Sequence, residues 1–285
     1  MILQSENLNT LWANLVVEEC VRNGLDFFCI SPGSRSTPLT VAAARNPKTK
    51  TTICYDERGA AFMALGFAKA TQKPAVLICT SGTAVANYLP AVVEASNDDV
   101  PMLLLTADRP PELQNTGANQ TINQQHIFGE FVRWDYNFEP PQESVLATEL
   151  LSKIDFGIQT GIKLKGPVHL NFMFREPLEP TNEKIDPICL SPLAEWMESN
   201  QPLSAYPNQT DKIDWTKVEN SLTNAINGLL VVGRLHSAKD VNSIKQIARQ
   251  TNWPFFADIS SNLRTGNELE HQIAYFDQIL LAKIE

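Results

Sequence analysis

Cysteine is scarce, and its spacing suggests no shared task. The five cysteines among 285 residues, Cys20, Cys29, Cys54, Cys79 and Cys189, include no Cys-x-x-Cys pair, and an odd count at irregular spacing argues against a disulfide framework or a cysteine zinc site. Reduced thiols in a cytoplasmic protein are expected from that usage. Histidine is rarer still: His126, His169, His236 and His271 are too dispersed for a metal cluster, and none adjoins a serine or cysteine nucleophile motif. His169, inside the apolar run Val168-His-Leu170, reads as a satisfied core residue. Basic residues number 23 against 32 acidic, and the resulting charge of −9 disfavours a nucleic-acid partner held by the overall field. No apolar run approaches the ~20 residues that cross a bilayer, so no transmembrane segment is expected. The stretch from Met1 to Asn7 lacks the basic and apolar regions of a secretory leader. No Gly-x-x-x-x-Gly-Lys-Ser/Thr occurs, and Gly59 to Gly66 does not fit Gly-x-Gly-x-x-Gly, which disfavours nucleotide binding by those routes.

What is present is a globular composition, 43% hydrophobic and 19% charged. At roughly 150 residues per domain, the length allows one large domain or two ordinary ones. Leu8, Leu11, Trp12, Leu15, Val16 and Cys20 recur at three- and four-residue steps, the stripe of a helix that Asn23-Gly24 closes. Leu25 to Ile30 then reads as a strand entering a loop. Alternation continues with a helix over Leu39 to Ala44, a strand over Thr51 to Cys54, a helix over Arg58 to Ala70, a strand over Ala75 to Cys79, a helix over Ala84 to Ala95 and a strand over Pro101 to Thr106. Two of these strands are continuous apolar runs, as expected where both faces are covered. Phe131 to Tyr136 fits another strand, Leu146 to Ile162 a helix and Gly166 to Phe174 a closing strand. This order implies an α/β domain with a mostly parallel sheet and helices on both faces.

From Glu176 to about Asp214 the chain is rich in Pro, Ser, Asn and Gln, which suggests a linker. A second α/β unit follows, with strands at Gly228 to Val232 and Trp253 to Ala257, a helix over Ala238 to Ala248, and a helix-like stretch from Leu269 to Ile284. The expected division is a first domain over 1–180, a linker over 181–213 and a partial second unit over 214–285.

In an open parallel sheet, ligands bind at the carboxyl ends of the strands. The unusual loops all fall there: Ser31-Pro-Gly-Ser-Arg-Ser-Thr-Pro38, Tyr55-Asp-Glu-Arg-Gly59, Thr80-Ser-Gly-Thr83, and Thr106-Ala-Asp-Arg-Pro-Pro-Glu-Leu113 running on to Gly117-Ala-Asn-Gln120. Two of them combine small residues and hydroxyls before a helix, which suits an anion or is simple N-capping. Glu57 stands between a strand and a helix lined with Gly and Ala, as close approach of another surface requires. A carboxylate dehydrated there would exchange protons, whereas an exposed one would only favour the helix N-terminus. Arg35 and Arg109, at two strand ends, offer guanidinium forks for carboxylates, or ordinary surface ion pairs. Asn119 and Gln120 would orient a polar substrate or satisfy loop backbone.

Together the four loops resemble the 2-succinyl-5-enolpyruvyl-6-hydroxy-3-cyclohexene-1-carboxylate synthases, thiamine-diphosphate enzymes of menaquinone biosynthesis. Ser31 to Leu39, Asp56-Glu-Arg58, Thr80-Ser-Gly-Thr-Ala84 and Leu105 to Leu113 with Gly117 to Gln120 are similar to the family's signatures, in order. The likeness is firm from Leu8 to Arg175 and thinner beyond, where Val231-Val-Gly-Arg234 and Trp253-Pro-Phe255 resemble the start of the family's middle domain. It implies a pyrimidine-binding domain followed by a partial middle domain. The implied reaction is decarboxylation of 2-oxoglutarate and addition of the succinyl-semialdehyde unit to isochorismate. Glu57 matches the glutamate that hydrogen-bonds the cofactor's aminopyrimidine. Arg35, Arg109, Asn119 and Gln120 match positions on the isochorismate side, with Ser34 and Thr83 in the loops that line the site. A homo-oligomer, dimer or tetramer, is also implied.

One departure accompanies the likeness. The family holds the diphosphate and Mg²⁺ with a Gly-Asp-Gly…Asn motif on a C-terminal domain, and no Gly-Asp-Gly occurs in these residues. The chain is therefore expected to be a fragment, inactive alone, or one half of a split enzyme. The rival readings are a binding or regulatory protein on the same fold, against which Glu57 and both arginines speak, and another thiamine-diphosphate carboligase.

Overall fold

A computed structural model describes residues 5–181, 183, 185, 187–204, 206, 215–225, 227–265 and 269–282. The chain divides into two compact units, Met1–Pro207 and Asn208–Glu285. In the first, helices α1 (Leu8–Arg22), α2 (Thr37–Arg45), α3 (Glu57–Thr71), α4 (Thr83–Ala86), α5 (Leu89–Asn97), α6 (Ala147–Lys163) and α7 (Ala194–Glu198) surround six strands. These are β1 (Phe27–Ile30), β2 (Lys50–Ile53), β3 (Ala75–Cys79), β4 (Met102–Asp108), β5 (Trp134–Phe138) and β6 (Val168–Met173). They form one sheet in the order β2-β1-β3-β4-β6-β5, and every neighbouring pair is parallel.

The apolar runs explain the layering. β3 and β4 are buried along their whole length, and successive side chains alternate between two cores. Phe28, Ile30, Val76, Ile78, Leu103 and Leu105 pack with residues of α1, α2 and α6. Cys29, Leu77, Cys79, Met102 and Leu104 pack on the other side, with the buried face of α3 and α5. The chain visits β2 on one side of β1 and then β3 on the other, so the sheet's switch point, where its crevice opens, lies at the carboxyl ends of β1 and β3.

Several elements differ from expectation. The helix expected over Ala84 to Ala95 is two helices, α4 and α5, because Pro90 near the start of α5 has no N–H to continue the first. β5 begins at Trp134 rather than Phe131, which instead closes a 3-10 turn over Gly129–Phe131. The stretch expected as linker is only in part loop-like. A 3-10 helix over Pro187–Leu193 leads into α7, and Leu190, Leu193 and Trp196 are buried in the α1/α6 core. Buried carboxylates capture it: Trp196 Nε1 donates to Glu19 Oε2 at 2.7 Å, Leu203 N to Glu19 Oε1 at 2.5 Å and Ser204 N to Asp155 Oδ2 at 2.7 Å. The expected 213/214 boundary and the side chain of Cys189 lie outside the described residues.

The second unit contains α8 (Trp215–Asn224), β7 (Leu230–Val232), α9 (Ala238–Thr251), β8 (Phe255–Ala257) and α10 (Phe276–Leu281). β7 and β8 pair in parallel over a small core of Val232, Ala248, Phe255, Ala257, Leu263 and Leu269. Of the stretch expected to be helical from Leu269 to Ile284, the described residues are helical over α10, while the backbone around Gln272 instead bridges β8, with Phe255 N donating to the His271 carbonyl and Ile273 N to the Phe255 carbonyl.

Candidate active site

Three loops meet at the switch point. Gly33, in the loop after β1, approaches Thr80, after β3, so closely that a Cβ there would sit 2.4 Å from the Thr80 Cβ. Behind it Ser34 is exposed at the start of a one-turn 3-10 helix, and Arg35 is turned inward, 5% exposed. Arg35 Nη1 donates to the Phe174 carbonyl at 2.8 Å, and Nη2 lies 3.5 Å from Glu176 Oε1. Its Nε is buried and finds no partner. Burial first, and then the neighbouring Arg109 guanidinium, hold the Arg35 pKa below its ordinary value. Two guanidinium groups thus repel at the crevice, and an anion there would relieve both.

Arg109, half-buried after β4, donates from Nη1 to Ser81 Oγ. Ser81 also ties Gln120 into place: its Oγ donates to the Gln120 carbonyl at 3.1 Å, and its own carbonyl accepts from Gln120 Nε2 at 2.9 Å. Gln120 has φ +57 and is exposed at the rim, as is Asn119 beside it. Thr83 is exposed at the first position of α4. The Thr80–Thr83 loop does not offer all its N–H groups to an anion, because Gly82 N already donates to Gln124 Oε1 at 2.8 Å.

Glu57 is the first residue of α3, directly after β2 and half-buried. Asp56 accepts from Arg58 N at 2.9 Å, capping the helix, and also accepts from the Arg58 guanidinium, Nη2 to Oδ2 at 2.6 Å. Glu57 lies within electrostatic reach of the Tyr88 hydroxyl and Cys79 thiol: both are raised chiefly by burial, with its negative charge a further cause. Tyr88 Oη and Ser31 Oγ are buried without a well-formed hydrogen bond. A half-buried carboxylate within electrostatic reach of a buried, poorly hydrogen-bonded hydroxyl suits a polar heteroaromatic ring such as an aminopyrimidine. The alanines of α3, Ala60, Ala61, Ala64 and Ala68, pack on the protein's own sheet, whereas open space surrounds Gly59 and Gly66 on the outer side.

The structure therefore brings Arg35, Arg109 and Gln120 around one crevice, puts Ser34, Thr83 and Asn119 on its rim, and sets Glu57 at the end of the neighbouring edge strand β2. Ser81 and Gln124 were not legible as site residues. Ser81 is one of several small residues in its loop, and Gln124 stands in a polar run between Asn123 and Gln125.

Two family models match in sequence. Residues 12–127 fit the thiamine pyrophosphate enzyme N-terminal TPP binding domain, and residues 188–284 the middle domain of thiamine pyrophosphate enzymes. The second match begins inside the stretch whose side chains pack in the first unit. Among curated proteins, the chain is 50% identical over 269 residues to the 2-succinyl-5-enolpyruvyl-6-hydroxy-3-cyclohexene-1-carboxylate synthase of Chlorobium phaeobacteroides, covering 93% of this chain and 46% of that protein. The synthase of the same name from Salinibacter ruber is 45% identical, with 98% and 48% covered, and that of Chlorobaculum tepidum 43%, with 99% and 50%. The chain spans about half the length of the curated relatives it matches. It belongs to the 2-succinyl-5-enolpyruvyl-6-hydroxy-3-cyclohexene-1-carboxylate synthase family of thiamine pyrophosphate enzymes.

Proposed function

We propose that these residues form the pyrimidine and acceptor side of a site that decarboxylates 2-oxoglutarate and adds the succinyl-semialdehyde unit to isochorismate, in menaquinone biosynthesis. Thiamine diphosphate, when bound, supplies the nucleophilic carbon and the electron sink for that chemistry. Glu57 holds and exchanges a proton at a ring nitrogen of the pyrimidine, a role for which a half-buried carboxylate at a helix start is suited. Mg²⁺ and the diphosphate are assigned to a Gly-Asp-Gly motif, which these 285 residues do not contain.

The observation that carries the reading is the pair Arg35 and Arg109. A buried guanidinium with an unpartnered Nε, within electrostatic reach of a second guanidinium, is a costly arrangement that a multiply charged carboxylate would relieve. Isochorismate has two carboxylates. Gln120, fixed by Ser81, and Asn119 stand where uncharged polar groups of that acceptor can be oriented.

A homo-oligomer fits the exposed apolar side chains at the end of β2, in the loop after it and on α3: Ile53, Tyr55, Phe62 and Met63. Among the described residues no helix is long and apolar enough to cross a membrane. The four free cysteines among the described residues agree with a cytoplasmic setting. The reading is tested by incubating the holoenzyme with Mg²⁺, thiamine diphosphate, 2-oxoglutarate and isochorismate. Equal consumption of both substrates with release of carbon dioxide is expected. Decarboxylation that leaves isochorismate untouched would assign the site to another carboligase.

A further inference from the structure

Beneath the crevice, where the sheet would ordinarily be apolar, β4 and β6 carry a chain of buried polar groups. Asn171 on β6 is the hub. Its Nδ2 donates to Asp108 Oδ2 at 2.9 Å and to Asn137 Oδ1 at 2.6 Å. Its Oδ1 accepts from Thr106 Oγ1 at 2.7 Å and from Gln124 Nε2 at 2.8 Å. A threonine hydroxyl has one proton, so with that proton on Asn171, the His169 Nε2 at 2.7 Å from Thr106 Oγ1 must be the donor. Burial keeps His169 neutral, its pKa lowered to about 3, so this imidazole does not titrate near neutrality, and burial raises the Asp108 carboxyl above its ordinary value.

Gln124 is where this chain leaves the sheet. It is 1% exposed, and both ends of its amide are used. Nε2 donates to Asn171 Oδ1 and, at 3.2 Å, to the Ala107 carbonyl, while Oε1 accepts from Gly82 N. Gly82 has φ +85, and a Cβ on it would lie 2.8 Å from Gln120 Cγ, so its backbone is closely confined between Gln124 and Gln120. The next residue back, Ser81, is the one that holds both Arg109 and Gln120.

We propose that Gln124 is a positioning residue for the acceptor side of the site: by clamping Gly82 to the Asn171 network it fixes Ser81, and through Ser81 it sets the Arg109 guanidinium and the Gln120 amide. The inference rests on the reading of isochorismate as acceptor. A ligand held by Arg109 and Gln120 would then feel Gln124 without touching it, while the Glu57 side of the site, supported by α3 and its Asp56 cap, would not.

The test is a double-mutant cycle in the holoenzyme with Gln124→Met, close in size but with no amide, and Ser81→Ala. Gln124→Met should raise KM for isochorismate about tenfold and Ser81→Ala by a similar factor, with decarboxylation of 2-oxoglutarate within about twofold of wild type. Because both act along one path, the double variant should resemble the worse single variant rather than multiply the two. Hydrogen exchange should show the Gly82 amide losing protection in Gln124→Met. Multiplicative effects, an unchanged isochorismate KM, or equal loss of both half-reactions would each overturn the inference. If Gln124→Met does not fold, Ser81→Ala alone decides: it must raise the isochorismate KM and spare decarboxylation, or the path is wrong. A wild-type holoenzyme that does not consume isochorismate would instead overturn the reading of the acceptor.

Discussion

Glu57 and the two arginines make different demands on their surroundings. A proton-exchanging carboxylate needs limited water and a free oxygen; Glu57 is half-buried, and the nearby Arg58 guanidinium hydrogen-bonds Asp56. Glu57→Gln keeps the shape and removes the exchangeable proton, so folding should stay near wild type while carboligation falls by ~10²-fold or more. Thermal unfolding and steady-state rates check the two halves of that statement. The arginines need geometry rather than protonation. Arg109→Lys should recover only part of the isochorismate affinity lost in Arg109→Ala, since an ammonium cannot reproduce a planar fork, and competition binding of a dicarboxylate analogue measures the difference. Glu57, Arg35 and Arg109 could be singled out from strand-end positions and residue type. Ser81 and Gln124 could not, because their importance lies in partners 39 and 42 residues away in sequence.

At the scale of elements, one close contact shapes the crevice and a second, away from it, fastens the stretch around 196–204 to α1 and α6. The close approach of the loops after β1 and β3 depends on Gly33 having no side chain. Gly33→Ala should cost ~1–3 kcal/mol by overpacking against Thr80, measured by denaturant unfolding, and should also weaken isochorismate binding by separating Arg35 from Arg109. The second contact is the buried pair Glu19 on α1 and Asp155 on α6, which receives the backbone of Leu203 and Ser204. Burial, reinforced by Asp155, pushes the Glu19 carboxyl up to about 8. Its stabilising effect is full below about 4.5, where the unfolded state also holds the proton, and is lost progressively as pH rises to about 8. Melting temperature measured across that window should therefore fall more steeply in wild type than in Glu19→Gln, and parallel curves would refute the raised value. The helix and strand alternation was legible because apolar periodicity reports it directly. The docking of Trp196 and its neighbours was not, because Glu19 and Asp155 look in sequence like ordinary polar positions on two helices.

Over the first unit as a whole, exposed apolar side chains run from the end of β2 into α3, the helix that Glu57 opens. Phe62, 48% exposed, and Met63, 45% exposed, are large side chains in solvent beside a glycine with open space around it. If copies of the chain associate there, Phe62→Glu should weaken self-association by about tenfold or more, read by sedimentation, because a charge would be buried in the contact. Separate measurement of the two half-reactions in the holoenzyme decides whether Glu57 serves both and the arginines only the acceptor. Carbon dioxide release from 2-oxoglutarate and consumption of isochorismate are followed in wild type, Glu57→Gln, Arg35→Ala and Arg109→Ala. Glu57→Gln should depress both, whereas each arginine variant should lose ~1.5–3 kcal/mol in the use of isochorismate with decarboxylation much less affected. Equal losses of both half-reactions in the arginine variants, or near-full activity in Glu57→Gln, would contradict the account.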